Sequence, residues 1–355
     1  MSRQLPIGLH LDGDTVVLAQ LAMQGDRPVL HAAAAGELPA DVSDITARAA
    51  ALKRLLLDHH FVGRSVVSCL PSRDLTIQNL RLPQVPEGEL PPLLRWEAQE
   101  RLPYPIDEAE LRHLSGGVIL EDGVTKQETI LLAARRDAIG QHLNWLDAAG
   151  LTPLAIDLAG CGMLRCLMAA DDGANVESVR RAYIHMGVGA VTALVATGGH
   201  VMFLKHLPCG GRSLDQTLAR ATGLSEEEAI VMRRTVVQAA SLDADDDLHR
   251  TVIEAIRLPL EGLATDLELC LRHVKVTFRG AAPDSFVVTG PDASPWLAEF
   301  FADRLHLPAT LFQPFRAFGR AGNEPECPAR FTVAAGLSLR GATGTRAVEV
   351  AAMSA

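Results

Sequence analysis

One strand–turn–strand pattern occurs twice in this chain, about half its length apart, and nothing else constrains the fold as much. The opening segment PIGLHLDGDTVVLAQLA alternates apolar and polar residues around Asp12-Gly13-Asp14, the signal of a β-hairpin with a tight turn. The segment RAYIHMGVGAVTALVATGGHVMFLKHLPCGG repeats the order strand, glycine turn, strand, glycine-glycine turn, strand. Placing His10 on His185 matches Leu11 with Met186, Gly13 with Val188, Val16 with Val191 and Ala19 with Leu194. Such self-similarity predicts two related lobes, each opening on a hairpin. At 355 residues the chain exceeds the roughly 250 at which a single core stops growing, which agrees with two lobes.

Composition narrows the function classes. Apolar residues make up 48% and charged residues 21%, enough to bury a core and too apolar for general disorder. The formal net charge of -10, with no basic tract, argues against nucleic acid as a partner, because that affinity comes from Lys and Arg neutralising phosphates. The first residues carry no charged region followed by a long apolar stretch, so a cytoplasmic location is expected. The nearest approach to a membrane span, 186–198, is interrupted by glycine and shorter than the ~20 residues a spanning helix needs. Six cysteines without a CxxC pair read as buried free thiols.

Between the repeats the patterning predicts an amphipathic helix over 46–60, a buried strand at 66–71 and a Pro-rich lead into a helix bearing Trp96 that stops at Leu102-Pro103. Strands near 115–134 and a helix over 136–149 follow. After the second hairpin come helices over about 225–240 and 247–278, the latter kinked or restarted by Pro259. A strand at 285–290, a helix at 295–305 and a small-residue helix at 331–341 close the pattern.

Familiar catalytic motifs are missing. Gly187-Val188-Gly189 lacks the third glycine of a dinucleotide fingerprint, Thr192 standing in its place, and leads into a strand instead of a helix. None of the four lysines sits in a phosphate-binding P-loop. Asp243, Asp245, Asp247 and Glu254 have calcium-loop spacing, but Leu248 occupies the position that needs glycine, so an acidic helix start is expected. No HExxH or GxSxG is present. The paired glycine turns are the remaining candidates. In a duplicated actin-like fold, such turns bring backbone N–H groups close to phosphates while a strand-end acid organises magnesium. Here both strand ends are histidines, His10 and His185, poor magnesium ligands, and Asp12 and Asp14 would repel phosphate. No carboxylate pair suits a sugar or acetate kinase at either turn.

The segment LRWEAQERLPYPIDEAEL (94–111) resembles a signature of PilM, the actin-like family of type IV pilus assembly. LPSRDLTIQNLRLP, LLAARRDAIGQHLNWLDAAGLTPLAIDL, the Gly210-Gly211 turn, GLSEEEA and FTVAAGLSLRG follow in the family's order. The resemblance implies an α/β fold of two lobes with an insertion in each: a first-lobe core over 1–78, an inserted α+β subdomain over 79–156, a connecting helix over 157–180, a second lobe over 181–341 with a helical insert at about 213–280, and a flexible tail over 342–355. It also implies a nucleotide site at His10, Gly13, His185, Gly187, Gly189, Gly210, Gly211, Arg233 and Gly290.

The departures gather at that site. Where the family's first turn resembles DIGSSxVK, this chain has His10 for the Asp and Val17 for the Lys; Ile230 and Arg233 replace a Glu and Lys that reach the sugar; and Pro291 follows Gly290 where a second glycine is usual. A pseudo-ATPase is expected, with ATP bound weakly or not at all and magnesium doubtful. A residual anion site at Gly187, Gly189, Gly210 and Gly211 is the sharper alternative, and a slow ATPase that keeps magnesium through other residues is the rival. By the same resemblance the chain would be a cytoplasmic scaffold that reaches the inner face of the membrane through partners. It would bind the N-terminal tail of a PilN-type bitopic protein, with pilus motor components as further partners, in a groove between the first lobe and its insertion, and Trp96 and Tyr104 would anchor the tail. Helical spacing alone instead predicts that Trp96 is packed in the core. Within the same fold, a component like the type II secretion protein GspL is the alternative.

Overall fold

The structure is a computed structural model that describes residues 3–170, 179–239, 241–243, 245–280, 282–320, 325–340, 342 and 351–352. Strands β1 (Arg3–Asp12), β2 (Thr15–Gln24) and β3 (Arg27–Glu37) form a meander that helix α1 (Ile45–Asp58) joins to β4 (Ser65–Cys69). Next come β5 (Leu75–Pro83), α2 (Leu90–Gln99), β6 (Ala109–Glu121), β7 (Val124–Arg135), α3 (Arg136–Ala148), β8 (Thr152–Asp157) and α4 (Ala159–Ala170). The second half begins with β9 (Arg180–Met186), β10 (Val191–Thr197) and β11 (His200–Leu207), then α5 (Gly211–Thr222), α6 (Glu226–Val237) and α7 (Asp247–Thr277). It closes with β12 (Ser285–Thr289), α8 (Pro295–Leu305), β13 (Ala309–Leu311), α9 (Pro314–Ala317), β14 (Gly319–Arg320), α10 (Thr332–Ser338) and β15 (Ala351–Ala352).

The repeat read from the sequence is a repeat of topology. The first sheet runs β3-β2-β1-β4-β8 and the second β11-β10-β9-β12-β13: a hairpin whose first strand pairs in parallel with the strand after the crossover. His10 pairs with Val17 and His185 with Thr192, each one residue before the last in its strand or two before, so the histidines come to equivalent strand ends. This is the duplicated actin-like architecture expected. The central strands are apolar on both faces because helices cover both, as parallel-containing sheets require.

Several expected boundaries differ from the observed ones. The inserted sheet, β6-β7-β5, starts at Leu75 and ends at Arg135, whereas 79–156 was expected. Trp145 and Leu146 of α3 are buried in the first-lobe core with Leu9 and Leu52, and β8 is an edge of the first-lobe sheet, so 136–157 belongs to that lobe. The closing segment also crosses back: β14 pairs with β3, and Ala334 and Ala335 of α10, with Leu339 just after it, pack with Val17, Ala19 and Leu21. The expected second lobe of 181–341 therefore ends near β13. Long-range pairing of this kind leaves no periodicity in the sequence to read. Helix α7 runs as one element through Pro259, where a kink or restart was expected. Asp246 caps it by accepting from the N–H of Leu248 and His249, and Asp247 lies in its first turn, so the acidic stretch begins a helix as expected. The tail over 342–355 lies mostly outside the described residues; Ala351 and Ala352 pair with His113 and Arg112 of β6. No described helix is long and apolar enough to cross a membrane.

Candidate functional site

The turn between β1 and β2 meets the turn between β9 and β10 face to face. Gly13 takes a left-handed φ of 65° to close the first turn. This aims the preceding Asp12 at the second turn, where its carboxylate accepts from the Val188 N–H at 2.7 Å and the Gly189 N–H at 2.9 Å. Two successive backbone amides converging on one anion is the geometry of a phosphate-binding nest. Here the anion is the chain's own side chain, 7% exposed. The neighbouring amides are used as well: Gly187 donates to the His185 carbonyl at 3.1 Å, Gly211 to that of Gly187 at 2.9 Å and Arg212 to that of Val188 at 3.0 Å. Asp14 adds a second tie, accepting from the Arg212 guanidinium at 2.6 Å.

Gly210 and Gly290 hold this arrangement together by close approach. A Cβ on Gly210 would lie 2.6 Å from the Val188 carbonyl oxygen. At Gly290, φ is 109° and a Cβ would lie 2.5 Å from the Met186 carbonyl oxygen. The predicted glycines thus lie along the two facing turns, but the amides of Gly187, Val188, Gly189 and Gly211 already have partners.

Arg233 lies beside the cradle with 2% of its surface exposed. Its guanidinium meets the Asp215 carboxylate at 2.6 Å and that of Asp292 at 2.9 Å. Burial works against its charge, but the two acids outweigh burial and hold the guanidinium above its ordinary value. The residue expected to reach a nucleotide's sugar is therefore engaged by two internal acids. Neither acid was recognisable beforehand, because α5, α6 and the Gly290 turn come together only in three dimensions.

Behind Asp12, the rings of His10 and His185 meet edge to face with centroids 5.4 Å apart. Both are buried, at 6% and 3% exposure. Burial pushes His10 below the ordinary imidazole value against the opposing pull of Asp12, and burial reinforced by His10 pushes His185 down to about 4. Both rings are neutral at pH 7. His10 Nδ1 and both ring nitrogens of His185 lack a hydrogen-bond partner among the described residues. One donor atom from each of His10, Asp12 and His185 falls within 4.8 Å of the others.

A second feature lies between the first lobe and the inserted sheet. A cleft of about 590 Å³ is floored by Leu75, Leu132, Ile139, Leu143, Leu154 and Ile156 and rimmed by Glu110, Arg112, Arg136 and Arg340. Five consecutive residues of β8, Pro153 to Asp157, line it. Strand β8 is the edge of its sheet among the described residues, so its outward backbone groups face this space. Neither Trp96 nor Tyr104 lines the cleft. Trp96 is 57% exposed on α2, not packed in the core as its spacing suggested, while Tyr104 lies partly buried under the Arg135 guanidinium, 5.4 Å from its ring centroid.

Over residues 8–342 the chain matches the family described as type IV pilus assembly protein PilM. Among solved structures it is similar to a PilM–PilN type IV pilus biogenesis complex, at 23% identity over 95% of this chain and 98% of that one, with a TM-score of 0.78. It is also similar to the ethanolamine utilization protein EutJ from Carboxydothermus hydrogenoformans, at 16% identity over 95% and 90% of the two chains, TM-score 0.53. A third likeness is to MreB5 of Spiroplasma citri bound to ADP, at 12% identity over 96% and 97%, TM-score 0.53. At these identities the structural likenesses speak for the fold.

Proposed function

This chain belongs to the type IV pilus assembly protein PilM family, and from that premise we propose that it works as a cytoplasmic docking scaffold without ATP turnover. One observation carries the reading: the place where phosphates would enter is taken by Asp12, while the roomy cleft is elsewhere, beside an open strand edge. The ligand of that cleft is the extended N-terminal tail of a PilN-type bitopic membrane protein. The similar PilM–PilN complex supports the choice of partner. An extended peptide pairs its backbone with β8 and sets alternate side chains on the floor of Leu132, Leu154 and Ile156, which is strand addition with side-chain pockets for specificity. Arg112, Arg136 and Arg340 share only Glu110 and Asp157 as acids of the same cleft, so the excess of positive charge favours a tail that carries an acidic residue. Trp96, exposed on α2, remains the anchor proposed for a longer stretch of the partner.

Fluorescence anisotropy with a synthetic partner tail tests this. Saturable binding is expected, and Leu154→Asp, an exposed site with little bearing on folding, weakens it by about tenfold or more. A tail that does not bind, or binds equally well to the variant, sinks the cleft assignment. ATP turnover by the purified chain sinks the other half.

A further inference from the structure

We propose that His10, Asp12 and His185 hold one divalent transition-metal ion, with Zn(II) as the type case, and that this ion clamps the two lobes together. The inference goes beyond the docking reading and does not depend on it. It begins with an unexplained expense. Buried side-chain nitrogens are nearly always hydrogen-bonded, and each one left without a partner costs about 1–3 kcal/mol. Among the described residues, His185 leaves both ring nitrogens without one, and His10 leaves Nδ1, at the same place. Edge-to-face packing of the two rings accounts for their contact and not for the missing partners.

The donor set answers the question. Two imidazoles and a carboxylate suit Zn(II) and its first-row neighbours, and they are a poor set for magnesium or calcium, which take oxygen ligands. The donor atoms stand within 4.8 Å of one another. Around a zinc ion bound at ~2.0–2.1 Å, tetrahedral ligands are separated by roughly 3.4 Å, so loading draws these side chains inward by about 1 Å. Small rotations about the side-chain bonds of the two histidines supply that movement.

Outer contacts of the kind metal ligands need are already present. Each oxygen of Asp12 accepts one backbone N–H, from Val188 or Gly189, and keeps a further lone pair. The same two hydrogen bonds fix which way the carboxylate faces. Three protein ligands leave a fourth position for water, one fewer protein ligand than closed structural zinc sites have, so the hold on the lobes comes from His10, Asp12 and His185 alone. His10 comes from β1 and His185 from β9, so an ion bound by both ties a strand of the first sheet to a strand of the second.

The full-length chain, treated with chelator and dialysed, is titrated with Co(II) and followed by visible absorption. About one equivalent should give d–d bands stronger than those of the aquo ion, and one equivalent of Zn(II) should abolish them. Zn(II) should raise Tm by several degrees where equimolar Mg(II) does nothing. His185→Asn and His10→Asn should each weaken Co(II) binding by about tenfold or more while far-UV circular dichroism stays unchanged. A wild-type Co(II) spectrum identical to the aquo ion overturns the proposal whether or not any variant folds. Unchanged affinity in both folded variants overturns it equally, since it assigns the binding to other histidines.

Discussion

The β1–β2 and β9–β10 turns occupy equivalent places in two sheets of the same strand order and do opposite things. The second, Gly187-Val188-Gly189, is a cradle of backbone amides. The first, Asp12-Gly13-Asp14, is the anion that fills it. Duplication alone would make two cradles facing a ligand. A change of residue type in one of them turns the same geometry into an internal latch. A carboxylate and a phosphate oxygen ask the same thing of an N–H group, so a side chain of the first turn can occupy the amide cradle of the second.

The largest effect is expected from removing the buried cation beside the cradle. Arg233→Leu leaves Asp215 and Asp292 buried without their partner, and a loss of about 3–5 kcal/mol in urea unfolding is expected. Loss under 1 kcal/mol would mean the acids are solvated or neutral.

Acid should weaken both halves of the comparison together. His142 in the first lobe and His206 in the second are each pushed down to about 4, in both cases chiefly by burial. The unfolded chain takes up these protons near 6.5, while the folded chain refuses them until about 4. Their contribution is therefore fully present above pH 6.5 and is lost as the pH falls toward 4, on the order of 3 kcal/mol for each at the lower limit. Unfolding free energies measured at pH 7.5, 6, 5 and 4.5 should fall in that order, and stability that rises on acidification would refute the burial of neutral rings.

Opening the cradle is the most informative change. Asp12→Ala frees the Val188 and Gly189 amides and should cost about 1–3 kcal/mol of stability. Calorimetry with pyrophosphate should then show anion binding that the parent chain lacks. If neither protein binds, the second turn is no longer an anion cradle at all.

The smallest effect belongs to the rim. Arg212→Ala breaks the half-exposed pair with Asp14 and should cost no more than about 1 kcal/mol, less at high salt. A larger loss would show that this pair, rather than Asp12, closes the turns.

Much of this molecule was readable from one dimension. The Asp-Gly-Asp and Gly-Val-Gly turns, the alternating strands around them and their spacing announced two hairpins, and matching His10 to His185 placed the rings at equivalent strand ends. Those features are local, and local conformational preference is written in consecutive residues. The resemblance to the family pattern also marked the departures at His10, His185, Arg233 and Pro291, because residue identity needs no coordinates.

Other features were decided only when distant segments met. That Asp12 sits in the cradle, where repulsion of phosphate was all that could be foreseen, depends on two turns 176 residues apart. That Arg233 pairs with Asp215 and Asp292, that α10 returns to the first lobe, and that β8 is left as an open edge all follow from tertiary packing. Trp96 shows the limit most plainly: helical spacing says which face a residue shares, but only the neighbouring elements decide whether that face is covered.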